Sequence, residues 1–251
     1  MALMHVDFFS DILEKCVNMD VILPQNAAHQ IGVEINAGVT FPVLYLLHGM
    51  SDDHTFWQRQ TSIERYADRY GIAVIMPTTD LCWYTDMDCG YQNYYTFITK
   101  ELPALCHGFF NGLSRKREET WIAGLSMGGY GALKIALNES NVFGKVAGLS
   151  GAYDICKYPD DPYWVSIWGK KENRGPHTIP TAVNKLIAEE RPKPEIYLCC
   201  GTEDHLLDSS RNTRKLLEDN GFSVTYKESS GSHCWEYWDA EIQPILDWFV
   251  K

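Results

Sequence analysis

Three polar side chains have the types and the chain order of a nucleophilic relay. Ser126 lies in Gly124-Leu125-Ser126-Met127-Gly128, Asp204 ends Gly201-Thr202-Glu203-Asp204, and His233 ends Ser229-Ser230-Gly231-Ser232-His233. A serine hydroxyl becomes a useful nucleophile when a base removes its proton, and a histidine oriented by a carboxylate is the usual base. The three residues therefore predict acyl transfer by way of a covalent serine intermediate.

The neighbours of Ser126 predict a sharp turn between a strand and a helix. An apolar run at 120–123 precedes the motif, and a helix-like run at 130–137 follows it. Glycines on both sides of the serine suit a turn in which backbone segments approach closely, with the serine at the positive end of the helix. A glycine-rich turn with an incidental serine is the alternative for this segment taken alone.

Asp204 and His233 each follow a predicted strand, at 195–200 and at 222–228. The carboxyl ends of parallel strands meet at one edge of a sheet, so both loops are expected beside Ser126. The order Ser, Asp, His is the one used by this strand-turn-helix architecture. Glu203 and Asp208 are the competing acids; the first lies within the turn and the second on the approach to a helix.

An early loop is expected to help stabilise the negative oxygen that forms during acyl transfer. A sharp turn that carries a nucleophilic serine between a strand and a helix is called a nucleophile elbow. In proteins with such an elbow, one oxyanion donor is the amide that follows the nucleophile, here Met127, and the other lies on the loop after an early strand. The run Val43–Leu47 leads into His48-Gly49-Met50, which makes the Met50 amide the expected second donor. A plain glycine turn that closes the strand is the alternative.

Strand-like and helix-like segments alternate along most of the chain, which predicts one α/β domain over residues 1–251. We expect a mostly parallel sheet with helices on both faces and an antiparallel N-terminal hairpin formed by 17–23 and 31–35. The stretch 152–180 is irregular and is predicted to be a short cap over the site or a surface loop. The predicted strands are 43–47, 72–76, 120–125, 145–150, 195–200 and 222–228, and the predicted helices are 62–70, 94–110, 130–137, 181–190, 209–220 and 236–250.

Composition limits the partners and the compartment. A formal net charge of −11 argues against nucleic acid and an anionic membrane surface as partners. The sequence has no run of 18 apolar residues, so no membrane span is predicted. The N-terminus has no signal-peptide pattern, so a cytoplasmic location is expected. Eight cysteines without a CxxC pair predict reduced thiols rather than a metal site, with a Cys82–Cys89 bridge as a minor alternative.

Several tryptophans fall in loops that are predicted to surround the site. Trp57, Trp83, Trp168 and Trp235 are the candidate substrate-binding residues, and Trp164 belongs to the same group. Large aromatic side chains can line an acyl or alcohol pocket. Packing in the core is equally compatible with any one of them.

Taken together, these motifs resemble the esterase D family of α/β-hydrolases over nearly the whole chain. The resemblance rests on Leu46-Leu47-His48-Gly49 followed by Trp57, on Gly124 to Ala132, on Gly201 to Asp204, and on His233 before Trp235. The chain is most similar to small bacterial tributyrin and acetyl esterases, and more distantly to S-formylglutathione hydrolases, feruloyl esterases and mycolyltransferases. One departure is Ser51-Asp52-Asp53, where relatives often have a glycine after the oxyanion loop.

The resemblance implies a catalytic triad of Ser126, Asp204 and His233, with the amides of Met50 and Met127 as oxyanion donors and no metal or organic cofactor. It implies hydrolysis of small-molecule esters with short acyl groups, from acetyl to butyryl, by a chain that could form a homo-oligomer. A thioesterase acting on S-formylglutathione is one alternative, and a non-catalytic hydrolase fold used as a binding module is another. The physiological ester and its alcohol stay open.

Overall fold

A single eight-stranded sheet forms the centre of the computed structural model, which describes residues 1–25, 40–90 and 92–251. The strand order is β1-β2-β4-β3-β5-β6-β7-β8. β2 pairs antiparallel with β1 and β4, and all the other neighbours pair in parallel. The strands are β1 (Ala2–Ser10), β2 (Lys15–Leu23), β3 (Val43–Leu47), β4 (Ala73–Pro77), β5 (Thr120–Leu125), β6 (Lys145–Leu149), β7 (Glu195–Gly201) and β8 (Val224–Ser229).

Helices cover both faces of the sheet, as parallel crossovers require. A π-helical segment, Phe97–Glu101, joins α3 to α4, so the predicted helix at 94–110 forms as three consecutive helical pieces. The α-helices are α1 (Phe56–Gln60), α2 (Ile63–Tyr70), α3 (Tyr94–Thr96), α4 (Leu102–Phe109), α5 (Met127–Asn138), α6 (Pro162–Trp168), α7 (Ile179–Ala188), α8 (Leu207–Asp219) and α9 (Trp235–Phe249).

Alternate residues of the central strands enter two separate hydrophobic cores. In β3, Tyr45 and Leu47 pack into the core with α5 and α7, whereas Leu44 and Leu46 pack into the core with α2 and α9. This follows from the two-residue period of a strand and explains why β3 is apolar throughout. The predicted α/β class, with a mostly parallel sheet and helices on both faces, is confirmed and has the α/β-hydrolase arrangement.

An N-terminal antiparallel hairpin is confirmed, but it is formed by β1 and β2, so 17–23 belongs to its second strand and not to its first. β1 pairs with β2 from Ala2 opposite Leu23 to Ser10 opposite Lys15. The stretch 31–35, predicted as the partner, lies outside the described residues. β1 is an edge strand whose alternate side chains face solvent, including Leu3 and Phe9. Its apolar residues therefore do not form the continuous buried run that reveals the central strands.

The 152–180 stretch contains more regular structure than its composition predicts. Asp161 caps the N-terminus of α6 by accepting a hydrogen bond from the Trp164 amide at 3.1 Å, and Pro162 occupies the first turn. Both features favour the start of a helix. Three short 3₁₀ turns surround α6, at Ile155–Lys157, Lys171–Asn173 and Gly175–His177.

No helix within the described ranges has the length and apolar character needed to cross a bilayer. The cysteines are all free thiols: Cys82 is buried and Cys89 is exposed, so the alternative of a bridge between them is not realised in this structure.

Candidate active site

Ser126 stands at the turn between β5 and α5, with a backbone conformation that serine rarely adopts. Its φ is 53° and its ψ is −115°. The turn is held by two backbone bonds, from the Ser126 amide to the Leu149 carbonyl at 2.9 Å and from the Ala152 amide to the Ser126 carbonyl at 3.1 Å. A non-glycine residue with this φ is strained and persists only where its surroundings fix it.

The two glycines of the motif allow that turn to pack against the end of β3. A Cβ placed on Gly128 would lie 2.6 Å from the His48 carbonyl oxygen, and one on Gly124 would lie 2.5 Å from the backbone of Gly128. Both distances are too short for any side chain. The spacing Gly-x-Ser-x-Gly is therefore a packing requirement of this turn.

The structure brings Ser126, His233 and Asp204 into one hydrogen-bonded series. His233 Nε2 lies 3.0 Å from Ser126 Oγ, and His233 Nδ1 lies 2.9 Å from Asp204 Oδ2. The three side chains come from the loops after β5, β7 and β8, at the carboxyl edge of the sheet. The competing acid Asp208 has a side chain that is 92% exposed, and Glu203 Oε2 accepts a hydrogen bond from the Gly231 amide.

The surroundings of Asp204 favour its ionised form. Burial of the carboxyl group raises its pKa, but hydrogen bonds from His233, the Leu206 amide and the Ser150 hydroxyl outweigh burial, and the pKa is lower than usual. The Leu206 amide donates to Oδ1 at 2.8 Å, which leaves Oδ2 for His233. An ionised carboxylate in this position can orient an imidazole and stabilise a positive charge on it.

The loop after β3 is fixed by a buried histidine. The Thr79 amide donates to His48 Nε2 at 3.0 Å, so Nδ1 carries the proton and donates to the Gly49 carbonyl at 2.7 Å. Burial lowers the pKa of His48 to about 4. Tyr84 adds a hydrogen bond from its hydroxyl to the His48 carbonyl at 2.8 Å. His48 is thus a neutral structural residue.

The two predicted oxyanion donors, the amides of Met127 and Met50, belong to residues next to Ser126 and on the wall of its cavity. Met127 is the first residue of α5, where an amide has no acceptor within the helix. Met50 lines the cavity that contains Ser126, and among the described residues its amide donates to no other group in the turns and loops. The next residue, Ser51, has φ 72°, in the region that favours glycine.

A cavity of about 710 Å³ opens above Ser126. Trp83 and Trp235 line it, as predicted for substrate-binding residues, and Trp164 lines it as well. The structure does not bring Trp57 or Trp168 to the cavity, because each is 1% exposed in the interior.

The two interior tryptophans have identifiable packing roles. Trp57 donates from Nε1 to the Leu47 carbonyl at 3.0 Å and stands edge-on to Trp235. Trp168 stacks on Trp164, with ring centroids 5.4 Å apart and planes 3° apart. Both therefore support tryptophans that line the cavity.

Three residues of the site carried no clear signal in the sequence. Tyr158 lines the cavity from the 152–180 stretch and stacks on Trp164 with ring centroids 4.0 Å apart. Trp238 stands edge-on to the His233 ring at 4.9 Å and donates to Ser150 Oγ at 3.2 Å. Ser150 directly follows β6 at the same sheet edge, and that position was the one available clue.

Arg174 holds the 152–180 stretch, which we call the cap, in place. Its guanidinium is fully buried and donates to the Ile155, Tyr158, Pro159 and Gly169 carbonyls, and to Asp160 Oδ1 at 2.9 Å. All five acceptors belong to the cap itself. The carbonyl of Tyr158, 2.8 Å from Nη1, links Arg174 directly to the cavity wall.

Two groups of side chains in the described part of the chain have a metal-ligating composition. Asp204, His205 and His233 form one group, and two of these residues already share the hydrogen-bonded series with Ser126. His5, Asp20 and His54 form the other, outside the cavity.

Several known proteins are similar to this chain over nearly their whole length. The chain is 29% identical to an acetyl esterase of Caldicellulosiruptor saccharolyticus, covering 100% of this chain and 99% of the relative. Among solved structures, FphF, a fluorophosphonate-binding serine hydrolase of Staphylococcus aureus, has a TM-score of 0.87 at 30% identity, covering 100% of this chain and 98% of that one. An S-formylglutathione hydrolase (FrmB) of Staphylococcus aureus has a TM-score of 0.87 at 31% identity, covering 100% and 99%.

The Esterase family model, described as "Putative esterase", matches residues 10–249. This match includes the elbow, the acid loop and the histidine loop, and it extends from the end of β1 to the end of α9. The chain therefore belongs to the Esterase family of ester hydrolases.

Proposed function

We propose that the protein is a serine carboxylesterase that hydrolyses short-chain esters, from acetyl to butyryl, through an acyl-enzyme. The observation that carries this proposal is the series Ser126 Oγ, His233 and Asp204, with contacts of 3.0 and 2.9 Å, at the edge of a cavity. A serine, a base and an orienting acid in hydrogen-bond reach are the requirements of nucleophilic acyl transfer.

In the proposed first half-reaction, Ser126 Oγ attacks the ester carbonyl carbon while His233 Nε2 takes the hydroxyl proton. Asp204 stabilises the imidazolium that forms. The tetrahedral intermediate then loses the alcohol, which receives the proton from His233, and Ser126 keeps the acyl group as an ester. In the second half-reaction water attacks that ester with His233 again as base, and the carboxylic acid leaves.

The developing oxyanion would be held by the amides of Met127 and Met50. Removing one such donor typically costs about 3 kcal/mol of transition-state stabilisation. The His48 hydrogen bonds and the close contact of Gly128 with the His48 carbonyl support a fixed position for the Met50 loop. A fixed position is what a preorganised oxyanion hole needs.

The size and lining of the cavity support a small, uncharged ester. A volume of about 710 Å³ suits a short acyl group together with its alcohol. Trp83, Tyr158 and Trp164 form one aromatic wall of this cavity, which suits an uncharged acyl or alcohol group. Among the described lining residues Asp52 and Glu236 are acidic and none is Lys or Arg.

A thioesterase that acts on S-formylglutathione is the second candidate, since a solved relative named for that activity is 31% identical. The same three residues would perform the chemistry. Glutathione carries two carboxylates, and the described lining offers them no Lys or Arg side chain. This lining favours the neutral ester over the thioester.

The test compares p-nitrophenyl acetate, butyrate and octanoate with S-formylglutathione, using the wild type and Ser126→Ala. We expect kcat/KM to be highest for acetate or butyrate and to fall for octanoate, with Ser126→Ala at least about 10⁴-fold slower on each substrate. A preference for S-formylglutathione would replace the esterase by the thioesterase. No turnover of any substrate by the wild type would leave the binding module as the better account, and equal turnover by wild type and Ser126→Ala would rule out Ser126 as the nucleophile.

A further inference from the structure

Two histidines and an aspartate meet at the β1–β2 edge of the sheet, away from the described lining of the active-site cavity. His5 on β1 and Asp20 on β2 are paired directly across the antiparallel hairpin. Side chains of residues paired in this way point to the same face. His54, from the loop between β3 and α1, approaches the pair on that face.

The three ligand atoms lie close enough to share one ion. His5 Nδ1 is 2.8 Å from Asp20 Oδ1, His54 Nε2 is 3.9 Å from the same oxygen, and all three atoms lie within 4.8 Å of one another. Two ligands of a tetrahedral zinc ion, each about 2.1 Å from it, are about 3.4 Å apart. The two distances to Asp20 Oδ1 lie about 0.6 Å below and about 0.5 Å above this value, so small side-chain shifts would bring each of them to it.

His54 gives independent evidence of a missing partner. Its side chain is 8% exposed, and its Nε2 makes no hydrogen bond to any residue that the structure describes. The other ring nitrogen, Nδ1, lies 2.6 Å from Thr78 Oγ1. If Nδ1 donates to that hydroxyl, Nε2 presents an unused lone pair toward Asp20. A buried, unpaired nitrogen is costly for an ordinary hydrogen-bonded cluster, whereas a metal ligand requires this lone pair.

Each of the three residues also has an outer partner of the kind that orients metal ligands. Gln58 Nε2 donates to the second oxygen of Asp20 at 2.6 Å. Thr78 holds His54, and Asp7 Oδ2 lies 3.6 Å from His5 Nε2. Metal-bound histidines commonly donate their other ring proton to a carboxylate or a similar acceptor, and bound carboxylates are themselves hydrogen-bonded.

We propose that His5, Asp20 and His54 bind a divalent transition-metal ion, with Zn²⁺ as the preferred ion. Two imidazoles and one carboxylate form a three-residue zinc site, and the half-exposed His5 leaves the fourth position open to water. On binding, a charged His5 releases its Nδ1 proton to solvent, and a neutral His5 moves that proton to Nε2, which faces Asp7.

The ion would connect the loop that contains Met50 to the N-terminal hairpin. His54 lies four residues after Met50 on the segment between β3 and α1. Binding to the folded state alone stabilises it, by about 100-fold in the folding equilibrium when free Zn²⁺ is 100 times its dissociation constant. The site would thus stabilise the hairpin and the β3–α1 loop without taking part in ester hydrolysis.

The test is calorimetric titration of Zn²⁺ into the EDTA-treated full chain, compared among the wild type, His5→Ala, His54→Gln and two controls. His205→Ala removes a ligand of the other histidine cluster, and His107→Ala removes a histidine of α4 that belongs to neither cluster. We expect one ion per wild-type chain and at least tenfold weaker binding in His5→Ala and His54→Gln, with both controls unchanged.

Thermal unfolding provides a second readout that a merely structural histidine would not move. Wild-type Tm should rise with Zn²⁺ and the Tm of His54→Gln should not, while in EDTA the two proteins should have similar Tm values and the same circular dichroism spectrum. No Zn²⁺ binding by the wild type, equal binding by His54→Gln, or selective loss in His205→Ala would overturn the proposed site.

Discussion

The two walls of the active-site cavity are held in place by different means. Under Ser126 the support is backbone against backbone, because Gly128 lies so close to the end of β3 that an added Cβ would be 2.6 Å from the His48 carbonyl oxygen. Above the cavity the cap depends on one buried side chain, Arg174, which donates to four carbonyls and a carboxylate of the cap. The Ser126 side of the cavity, which we call the rigid wall, is thus held by backbone packing, and the cap side has a support that one substitution can remove.

The largest expected effect is the loss of kcat when Asp204, the proposed acid of the series with Ser126 and His233, is replaced. Asp204→Asn should lower kcat by about 10⁴-fold, because an amide favours the wrong His233 tautomer and cannot stabilise the imidazolium. Steady-state kinetics with p-nitrophenyl acetate measures this. Asp208→Asn, whose side chain is 92% exposed, is the matched control and should retain wild-type kcat. A larger loss in Asp208→Asn than in Asp204→Asn would reassign the acid.

Loss of Arg174 should separate substrate binding from chemistry. Arg174→Ala leaves buried carbonyls of the cap without donors, so we expect a loss of about 3 kcal/mol in the free energy of unfolding and a KM raised about tenfold. Because the series of Ser126, His233 and Asp204 lies outside the cap, kcat should change much less than KM. Urea denaturation and steady-state kinetics provide the two measurements.

Arg211 offers a control for the effect of losing an arginine. Its guanidinium pairs with Glu228 at 2.7 Å on the protein surface, and its side chain is 51% exposed. Arg211→Ala should leave both stability and KM close to wild type. If Arg174→Ala lowered kcat as strongly as it raised KM, the cap and the rigid wall would be one unit and the comparison would fail.

Two helical glycines test the close packing under the elbow. Gly128→Ala should destabilise the fold by about 1–3 kcal/mol and reduce kcat, because the added methyl displaces the loop with the Met50 amide. Gly108→Ala on α4 meets nothing within 4 Å and should stabilise by about 0.5–1 kcal/mol. Chemical denaturation of both variants checks the pair. Equal effects would show that elbow packing is no tighter than elsewhere.

The smallest expected effect is the pH dependence of stability caused by Asp52, on the loop that follows β3. Burial raises the pKa of Asp52 to about 6 from its usual value near 3.8, so the fold favours the protonated form. Its stabilising contribution is complete below pH 4 and is lost as the pH rises through 6. In the wild type the Gly49 amide donates to Asp52 Oδ2 at 3.3 Å. Asp52→Asn keeps an uncharged acceptor for this amide.

We therefore expect Asp52→Asn to be more stable than wild type by about 1 kcal/mol at pH 7.5, after allowance for solvent screening, and equally stable at pH 4. Thermal unfolding at the two pH values provides the measurement. A variant that is less stable than wild type at pH 7.5 would mean that the ionised carboxylate stabilises this loop, which is the opposite of the expected effect.

The sequence predicts the Ser126 side of the cavity better than the cap side, and the reason is physical. Ser126 and Asp204 follow the apolar strands β5 and β7, and His233 follows the half-buried strand β8, so parallel topology brings their loops to one sheet edge. Which tryptophans reach the cavity depends on the direction of each side chain. The local sequence does not reveal that Trp83 lines the cavity and Trp168 does not.

Contacts between distant, weakly patterned segments were also beyond prediction. β1 is half-exposed, so its apolar residues resemble a surface tail. Arg174 and Tyr158 lie in an irregular stretch with no periodicity, although Arg174 holds that stretch together. His5 and His54 are brought together only by the hairpin and the β3–α1 loop, so their spacing matches no short metal-binding motif.

The most direct test of the central claim is to locate the acyl group on the enzyme. Wild-type protein mixed with excess p-nitrophenyl acetate and quenched in acid within one turnover should carry one acetyl group per chain, on the peptide that contains Ser126. Ser126→Ala should carry none. Acetylation at another residue, or turnover with no covalent intermediate while Ser126→Ala keeps its activity, would contradict a mechanism through Ser126.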